Sequence, residues 1–451
     1  MTAHGALASL DAKAGHIRRT PSNPQGRPPQ LRQLLRGQVY EPGDDGYDEA
    51  RRAWNPRVDP RPALVAEACG PADVRVAVEW ARTHDVPITV QSTGHGTRVT
   101  RAGGLLIKTS RMTGVLIDPE RRTVRVGAGT RWGAVVDAAA PLGLAPLSGS
   151  STDVGVAGYA LGGGLAWLSR RYGYAADSLL RAGVVTADGR QVTASRDSHP
   201  DLFWALRGGG ANFGIVTSLE FRLFPVATVY AGIAYFPVDR AARALARYRE
   251  FAVTEPAALT TAVMLVDKTP AGPGPALAIR ALYTGTAEEA RRALRPVFDA
   301  AGSPVLDEMR TMSFTQTRTV PVIAPGNLEL AAGLPDELIG DLITAFRVDG
   351  TSSVEIRHWG GAMAHAGPDA GPAGHRDVPF SVVVNGPPEA ASLVRGHTTG
   401  GSFLNFQPDV TRTETAYTPA DYRRLRDIKR DWDPDNVFGF VHNIPPAARR
   451  R

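Results

Sequence analysis

The chain has 451 residues, a formal net charge of +6, 43% hydrophobic residues and a single cysteine, Cys69. That length allows two or three domains with a large core. The lone cysteine excludes an internal disulfide and a cysteine-based metal cage, and with no run of about 18 apolar residues there is no membrane-spanning helix. Lys13, Lys108, Lys268 and Lys429 are the only lysines. The arginines are interspersed with carboxylates, without a one-sided block or interleaved aromatics, so neither nucleic acid nor a membrane is expected as a partner.

Residues up to about Glu41 are rich in Pro, Gly, Arg and Gln, and residues 1–44 read as a disordered or loosely docked tail. No apolar segment follows Arg18-Arg19, so no secretory leader is expected and a cytoplasmic location fits. Order is expected from about Tyr47. Pro71 opens a helix whose Val74, Val78 and Ala81 share a face up to His84. A β-favouring run then feeds the loop Gln91-Ser92-Thr93-Gly94-His95-Gly96, where His95 stands between two glycines. Leu105 to Ile107 reads as a strand, and Val115–Ile117 and Thr123–Val126 as a hairpin. Trp132 to Leu142 is a helix stopped by Gly143.

The glycine-dense segment Gly149 to Gly164 comes next, with a basic amphipathic turn, Trp167 to Tyr172, behind it. A second hairpin (Ala182–Thr186, Gln191–Thr193), a short helix from Pro200 to Leu206, and the glycine run Gly208 to Gly214 lead into a strand from Ile215. After Pro225 the order is strand, helix, strand, strand, helix up to Ala300, the pattern of an antiparallel sheet covered by helices. Gly367 to Gly374 is expected as a flexible loop or lid, and a last helix begins at Pro419.

No Gly-Lys P-loop and no G-x-G-x-x-G dinucleotide fingerprint occurs, so a nicotinamide dinucleotide is not indicated. Three separated glycine loops are compatible with an extended, pyrophosphate-containing ligand. They are equally compatible with tight turns of a large α+β protein.

Taken in order, four motifs resemble the berberine-bridge-enzyme-like oxidoreductases of the vanillyl-alcohol-oxidase superfamily. They are Gln91 to Gly96; Val154-Gly155-Val156-Ala157-Gly158 with Leu161-Gly162-Gly163-Gly164; Gly209 to Thr217; and Asp433 to Phe438 with Asn443-Ile444-Pro445-Pro446. The resemblance implies an α+β fold: a PCMH-type FAD-binding domain of two α/β subdomains over residues 45–226, and a substrate-binding domain over 227–410 with an antiparallel sheet covered by helices. Residues 411–451 would return to the FAD domain. It implies FAD contacts at Gln91, Ser92, Thr93, Gly94, His95, Gly96, Ser151, Thr152, Val154, Gly155, Val156, Gly158, Tyr159, Gly162, Gly163, Gly214, Val216 and Asn443.

By that resemblance His95 carries an 8α-histidyl bond to FAD. Many relatives add a cysteinyl bond three residues before the Val-Gly-Val motif; Ser151 stands there, so a single covalent anchor is expected. Tyr159 replaces the family histidine after the glycine motif, and Val154 matches the position that gates O2. The tyrosines of the family's Tyr-x-Asn-Tyr pattern are Phe403 and Phe406, which removes a tyrosine base.

A base of near-neutral pKa helps remove the substrate proton as hydride leaves. The candidates are His442 first, then His358 and Tyr417, with His375 also weighed. His358, His365 and His375 lack metal-ligand spacing on one helix, so no metal is expected. The expected activity is hydride transfer from a small organic alcohol, phenol or secondary metabolite to FAD, with O2 as the second substrate and H2O2 as product. A flavin-holding cyclase or isomerase and a sugar or oligosaccharide oxidase are the alternatives, and a homodimer is left open.

Overall fold

The computed structural model describes residues 28–97, 102–322, 326–365, 367, 369–439 and 441–448. Three sheets organise the chain. Strands β1 (Val39–Tyr40), β2 (Leu64–Glu67), β3 (Ile88–Gln91) and β4 (Leu105–Lys108) form the first, in the order β1-β2-β4-β3. β4 runs parallel to both β2 and β3, and the helix Pro71–Thr83 makes the crossover between them. Its Val74, Ala77, Val78 and Ala81 are fully buried, which is the face the 3.6-residue period selects.

The second sheet is antiparallel. It contains β5 (Val115–Asp118), β6 (Thr123–Gly127), β7 (Leu179–Val185), β8 (Gln191–Ser195) and β9 (Ile215–Arg222), in the order β5-β6-β9-β7-β8. The third sheet has β10 (Thr228–Pro237), β11 (Leu259–Thr269), β12 (Gly272–Tyr283), β13 (Leu306–Asp307), β14 (Arg310–Ser313), β15 (Asn327–Ala331), β16 (Ser353–His358) and β17 (Phe380–Asn385). Its order is β13-β10-β12-β11-β16-β17-β15, all pairs antiparallel, with β14 beside β10.

Helices Ala241–Ala252, Ala287–Ala301, Asp336–Arg347 and Pro388–Arg395 cover one face of this sheet through Val263, Ile279, Ile356 and Val382. The opposite face therefore receives the alternate residues of the same strands. This is the expected α+β architecture, with an antiparallel sheet under helices. No helix among the described residues is long and apolar enough to cross a membrane.

Two expectations are corrected. Residues 1–27 lie outside the described residues, but 28–44 are not a loose tail. Helix Pro28–Leu34 and β1 dock on the first sheet through Leu31, Leu35 and Val39, whose exposures are 0%, 8% and 7%. These three apolar side chains are too few to register as periodicity in a Pro- and Arg-rich stretch, yet enough to cover the sheet. The expected lid also differs. Residues 366 and 368 lie outside the described residues, whereas Gly371 to Gly374 are buried. A Cβ on Gly371 would fall 2.2 Å from the Arg207 carbonyl oxygen, and one on Gly374 would fall 2.6 Å from that of Ala416. The glycines here allow close packing rather than looseness.

Candidate flavin site

The site forms where the loop after β3 meets the segment leading into helix Val156–Leu161. β3 ends at the buried Gln91, whose Nε2 donates to the Arg52 carbonyl (3.3 Å) and to Thr97 Oγ1 (3.2 Å). Gly94 follows at φ 76°, and a Cβ there would lie 2.9 Å from Gln91 Nε2 and 3.1 Å from the Trp54 backbone nitrogen. A side chain is excluded by both backbone and space. Ser92 Oγ donates to the Ala128 carbonyl at 2.7 Å, which ties the loop to the second sheet.

Residues 152–156 run antiparallel to 130–133. Trp132 N donates to Val154 O (3.0 Å), Gly133 N to Thr152 O (2.9 Å) and Val156 N to Thr130 O (2.9 Å). This places Gly155 directly against the β3 loop: a Cβ on it would lie 3.0 Å from Thr93 and 3.2 Å from Ser92 Oγ. Thr93, Ser151, Thr152, Val154 and Tyr159 stay half-buried, while Gly96 and Gly158 face open space where a Cβ would stand. The His95 ring packs on Trp54 with centroids 4.3 Å apart, and its Nδ1 is shielded from solvent.

Other glycines of these motifs have protein partners. The Cβ of Gly162 would meet Asn405 at 2.3 Å, that of Gly163 would meet Phe403 at 2.8 Å, and that of Gly164 would meet Tyr159 and Ala175 at 2.6 Å. Asn405 Oδ1 accepts from Gly164 N (2.8 Å), and its Nδ2 donates to Gly158 O (3.4 Å). Gly214 packs on Val184, where its Cβ would lie 2.5 Å from Cγ1, and Val216 is buried in the second sheet's core. These contacts account for both residues by sheet packing.

The third glycine loop anchors the closing motif. Asn212 Nδ2 donates to the carbonyls of Gly209 (2.9 Å) and His442 (3.0 Å), and its Oδ1 accepts from Ile444 N (2.9 Å). Lys429 Nζ, fully buried, donates to Asn212 O and to Asp433 Oδ2, both at 2.6 Å. The Asp433 carboxylate in turn accepts from Val437 N (2.8 Å) and Phe438 N (2.9 Å).

The candidate bases separate sharply. His358 is buried on the sheet. Its Nδ1 pairs with Glu255 and lies 2.9 Å from Arg170 Nη1, while its backbone N donates to the Tyr248 hydroxyl at 3.0 Å. Glu255 also accepts from Thr261 Oγ1 at 2.7 Å, and Arg170 reaches the Leu259 carbonyl at 2.7 Å. This network ties the segment after the glycine motif to the third sheet and leaves the His358 side chain only 9% exposed. Tyr417 is 3% exposed and donates its hydroxyl to Gly208 O at 3.0 Å; burial pushes its phenol far above the usual range. A base must be reachable, and in the structure both residues are engaged in protein contacts. His375 lies at φ 56° with Nε2 2.8 Å from the Thr415 carbonyl. His442, at φ 48°, is half-buried with Nδ1 3.3 Å from Thr413 Oγ1.

Gln91 Oε1, Tyr159 Oη and Asn443 Oδ1 are among the buried polar atoms that find no hydrogen-bond partner within the described residues. They come from the β3 loop, the glycine-motif helix and the closing motif. Buried polar atoms are normally satisfied, so such orphans mark places where another group belongs. An extended ligand with polar atoms along its length, as FAD has, would supply partners of the kind that Gln91 and Asn443 lack.

Comparison with known proteins carries this further. Residues 62–195 match the model of an FAD binding domain, and residues 402–445 that of the berberine and berberine-like segment. The chain is 30% identical to (R)-6-hydroxynicotine oxidase of Paenarthrobacter nicotinovorans, over 92% of its own length and 98% of the relative's. An uncharacterized FAD-linked oxidoreductase of Bacillus subtilis is 28% identical over 92% of this chain and 99% of that protein.

Among solved structures, 6-hydroxy-D-nicotine oxidase from Arthrobacter nicotinovorans superposes with a TM-score of 0.81 at 28% identity, covering 92% of this chain and 98% of that one. A glucooligosaccharide oxidase from Acremonium strictum, which carries a 6-S-cysteinyl, 8α-N1-histidyl FAD, shares the fold with a TM-score of 0.79 at 24% identity, covering 93% and 99%. The fold and site thus define a PCMH-type flavoprotein oxidoreductase. The chain belongs to the berberine-bridge-enzyme-like FAD-linked oxidoreductases.

The sequence reading missed Arg280, Glu355 and Arg357 on the third sheet. Their signal was the alternation Val354-Glu355-Ile356-Arg357, apolar toward the helices and charged toward the other face.

Proposed function

We propose that this protein is an oxidase that holds FAD covalently through His95 alone and oxidises a small organic molecule. FAD, when bound, would accept a hydride from the substrate and return two electrons to O2 as H2O2. The observation that carries the reading is the closure of the β3 loop on Gly155, whose Cβ would lie 3.0 Å from Thr93 and 3.2 Å from Ser92 Oγ, with His95 in the same loop and Ser151, Val154 and Tyr159 half-buried in the adjoining segment.

In the β3 loop, Ser92, Thr93 and Gly94 to Gly96 would hold the ligand's phosphate region with backbone N–H groups. Ser151 has no thiolate to offer, so no second bond forms. Gln91 and Asn443 would use their unpartnered oxygens to orient the ligand. Val154, small and half-buried, would leave a path for O2. His442 remains the base, since His358 and Tyr417 are held in structural contacts.

The test is anaerobic mixing of the yellow holoprotein with a panel of alcohols, phenols and cyclic amines. Bleaching by a donor, followed by recovery of colour and one H2O2 per turnover on admitting air, is the expected result. Product formed with neither bleaching nor H2O2 would instead establish a flavin-assisted cyclisation or isomerisation.

A further inference from the structure

The face of the third sheet turned away from the helices carries a charge cluster that the oxidase reading leaves unused. In register, Ala262 of β11 lies between Arg280 of β12 and Arg357 of β16. The small side chain leaves room for both guanidinium groups to turn toward Glu355, one row away beside Met264. Arg280 Nη2 donates to Glu355 Oε1 at 2.6 Å, and Arg357 donates to the same carboxylate through Nε and, at 3.1 Å, through Nη2. Arg280 stacks over Trp167 at 5.2 Å from the ring centroid, and Arg357 stands 5.9 Å from that of Phe406.

Two cations thus share one anion. The Arg280 and Glu355 side chains are 6% and 1% exposed, so solvent does little to screen the excess positive charge. Arg357 is the open member. Its side chain is 22% exposed, and its Nη1 has no hydrogen-bond partner among the described residues. Arg357 meets Phe406, whose neighbour Asn405 holds the same Gly164 that packs on Tyr159, and the Tyr159 hydroxyl is buried without a partner among the described residues. Phe406 follows Asn405, which hydrogen-bonds the glycine motif beside Tyr159, so these groups converge at the flavin-site side of the sheet.

We propose that Arg357 and Tyr159 form an anion subsite that binds a carboxylate of the substrate, with Phe406 and Trp167 supplying aromatic walls. The inference rests on the oxidase reading for where the substrate lies, and it adds the class: an organic monoanion with a planar or aromatic body. A carboxylate oxygen would accept from Arg357 Nη1 and from the Tyr159 hydroxyl, using both open donors and neutralising the excess charge. A neutral analogue would leave that charge buried without a counter-ion, which gives discrimination by repulsion from mismatch as well as by attraction.

The experiment is calorimetric titration of the holoprotein with benzoate and, as a neutral analogue of the same shape, benzamide. Benzoate is expected to bind at least tenfold more tightly, and Arg357→Gln to abolish the preference. If that variant misfolds, Tyr159→Phe keeps the ring and should weaken benzoate severalfold while leaving benzamide unchanged. Equal affinities for the two probes, or unchanged benzoate binding in a folded variant, would overturn the subsite. A variant that shifts the flavin's reduction potential but not benzoate affinity would also overturn it, assigning the charge to the cofactor. Flavin absorbance of the unaltered sample separates the two readings: its absence would overturn the oxidase proposal, whereas its presence without carboxylate preference overturns the subsite alone.

Discussion

The rings of Trp54 and His95 pack at a centroid distance of 4.3 Å with planes inclined by 43°, although Trp54 is itself 59% exposed. An exposed tryptophan held this way is a cover: its backbone N donates to Gly94 O at 3.2 Å, so one residue fixes both the loop and the imidazole. Trp54→Ala should cost about 1 kcal/mol from the lost ring pair. It should also slow covalent flavin attachment without preventing it. Time courses of protein-bound colour after adding FAD to apoprotein would measure this, and an unchanged rate would show the ring to be incidental.

Val154 is half-buried at the turn into helix Val156–Leu161. If it leaves the O2 path open, Val154→Ile should slow reoxidation by about tenfold, a barrier increase of about 1.4 kcal/mol. Reduction by substrate should stay near normal. Stopped-flow traces of the two half-reactions separate these effects.

Lys429 is fully buried, and its ion pair with Asp433 supports Asn212, which in turn holds the backbone of His442 and Ile444. Lys429→Met leaves the Asp433 charge buried with only backbone donors, so a loss of about 3 kcal/mol is expected. Chemical denaturation measures it. The closing motif should also become sensitive to protease, because its anchor goes with the lysine.

Burial alone would raise the Glu355 pKa, but Arg280 and Arg357 outweigh it and hold the carboxyl below its ordinary value of 4.5. A group whose folded pKa is depressed gives stability that is present in full above the unfolded pKa and lost as pH falls through the folded one. The melting temperature should therefore fall on acidification below about pH 4.5, the ordinary value. Glu355→Gln should flatten that part of the curve. It should also lower stability at neutral pH by about 3 kcal/mol, since the buried Arg280 and the part-exposed Arg357 lose their counter-ion.

The amino-acid sequence made the first half of the molecule readable because its elements are short, well punctuated and locally signalled. Pro71, Gly143 and Pro200 mark boundaries that the structure keeps. β15, β16, β17 and the helix Asp336–Arg347 went unread: the alternation in β16 and the spacing of Leu338, Ile339, Leu342 and Ala345 are local signals, whereas which strands pair is set at long range. The glycines were legible as special but not as to purpose. Gly162 and Gly163 make room for Asn405 and Phe403, more than 200 positions away in sequence, whereas Gly96 and Gly158 face open space. The histidines show the same limit: His358 looked like any other candidate until Glu255 and Arg170 were seen to enclose it.

Single covalent attachment at His95 is the central claim, and acid precipitation of the holoprotein tests it most directly. Yellow colour and ultraviolet fluorescence should stay with the precipitated chain and with its band on a denaturing gel. In His95→Ala the flavin should pass entirely into the supernatant, while Ser151→Ala should retain it. Flavin released from the unaltered protein, or retained by His95→Ala, would contradict the account.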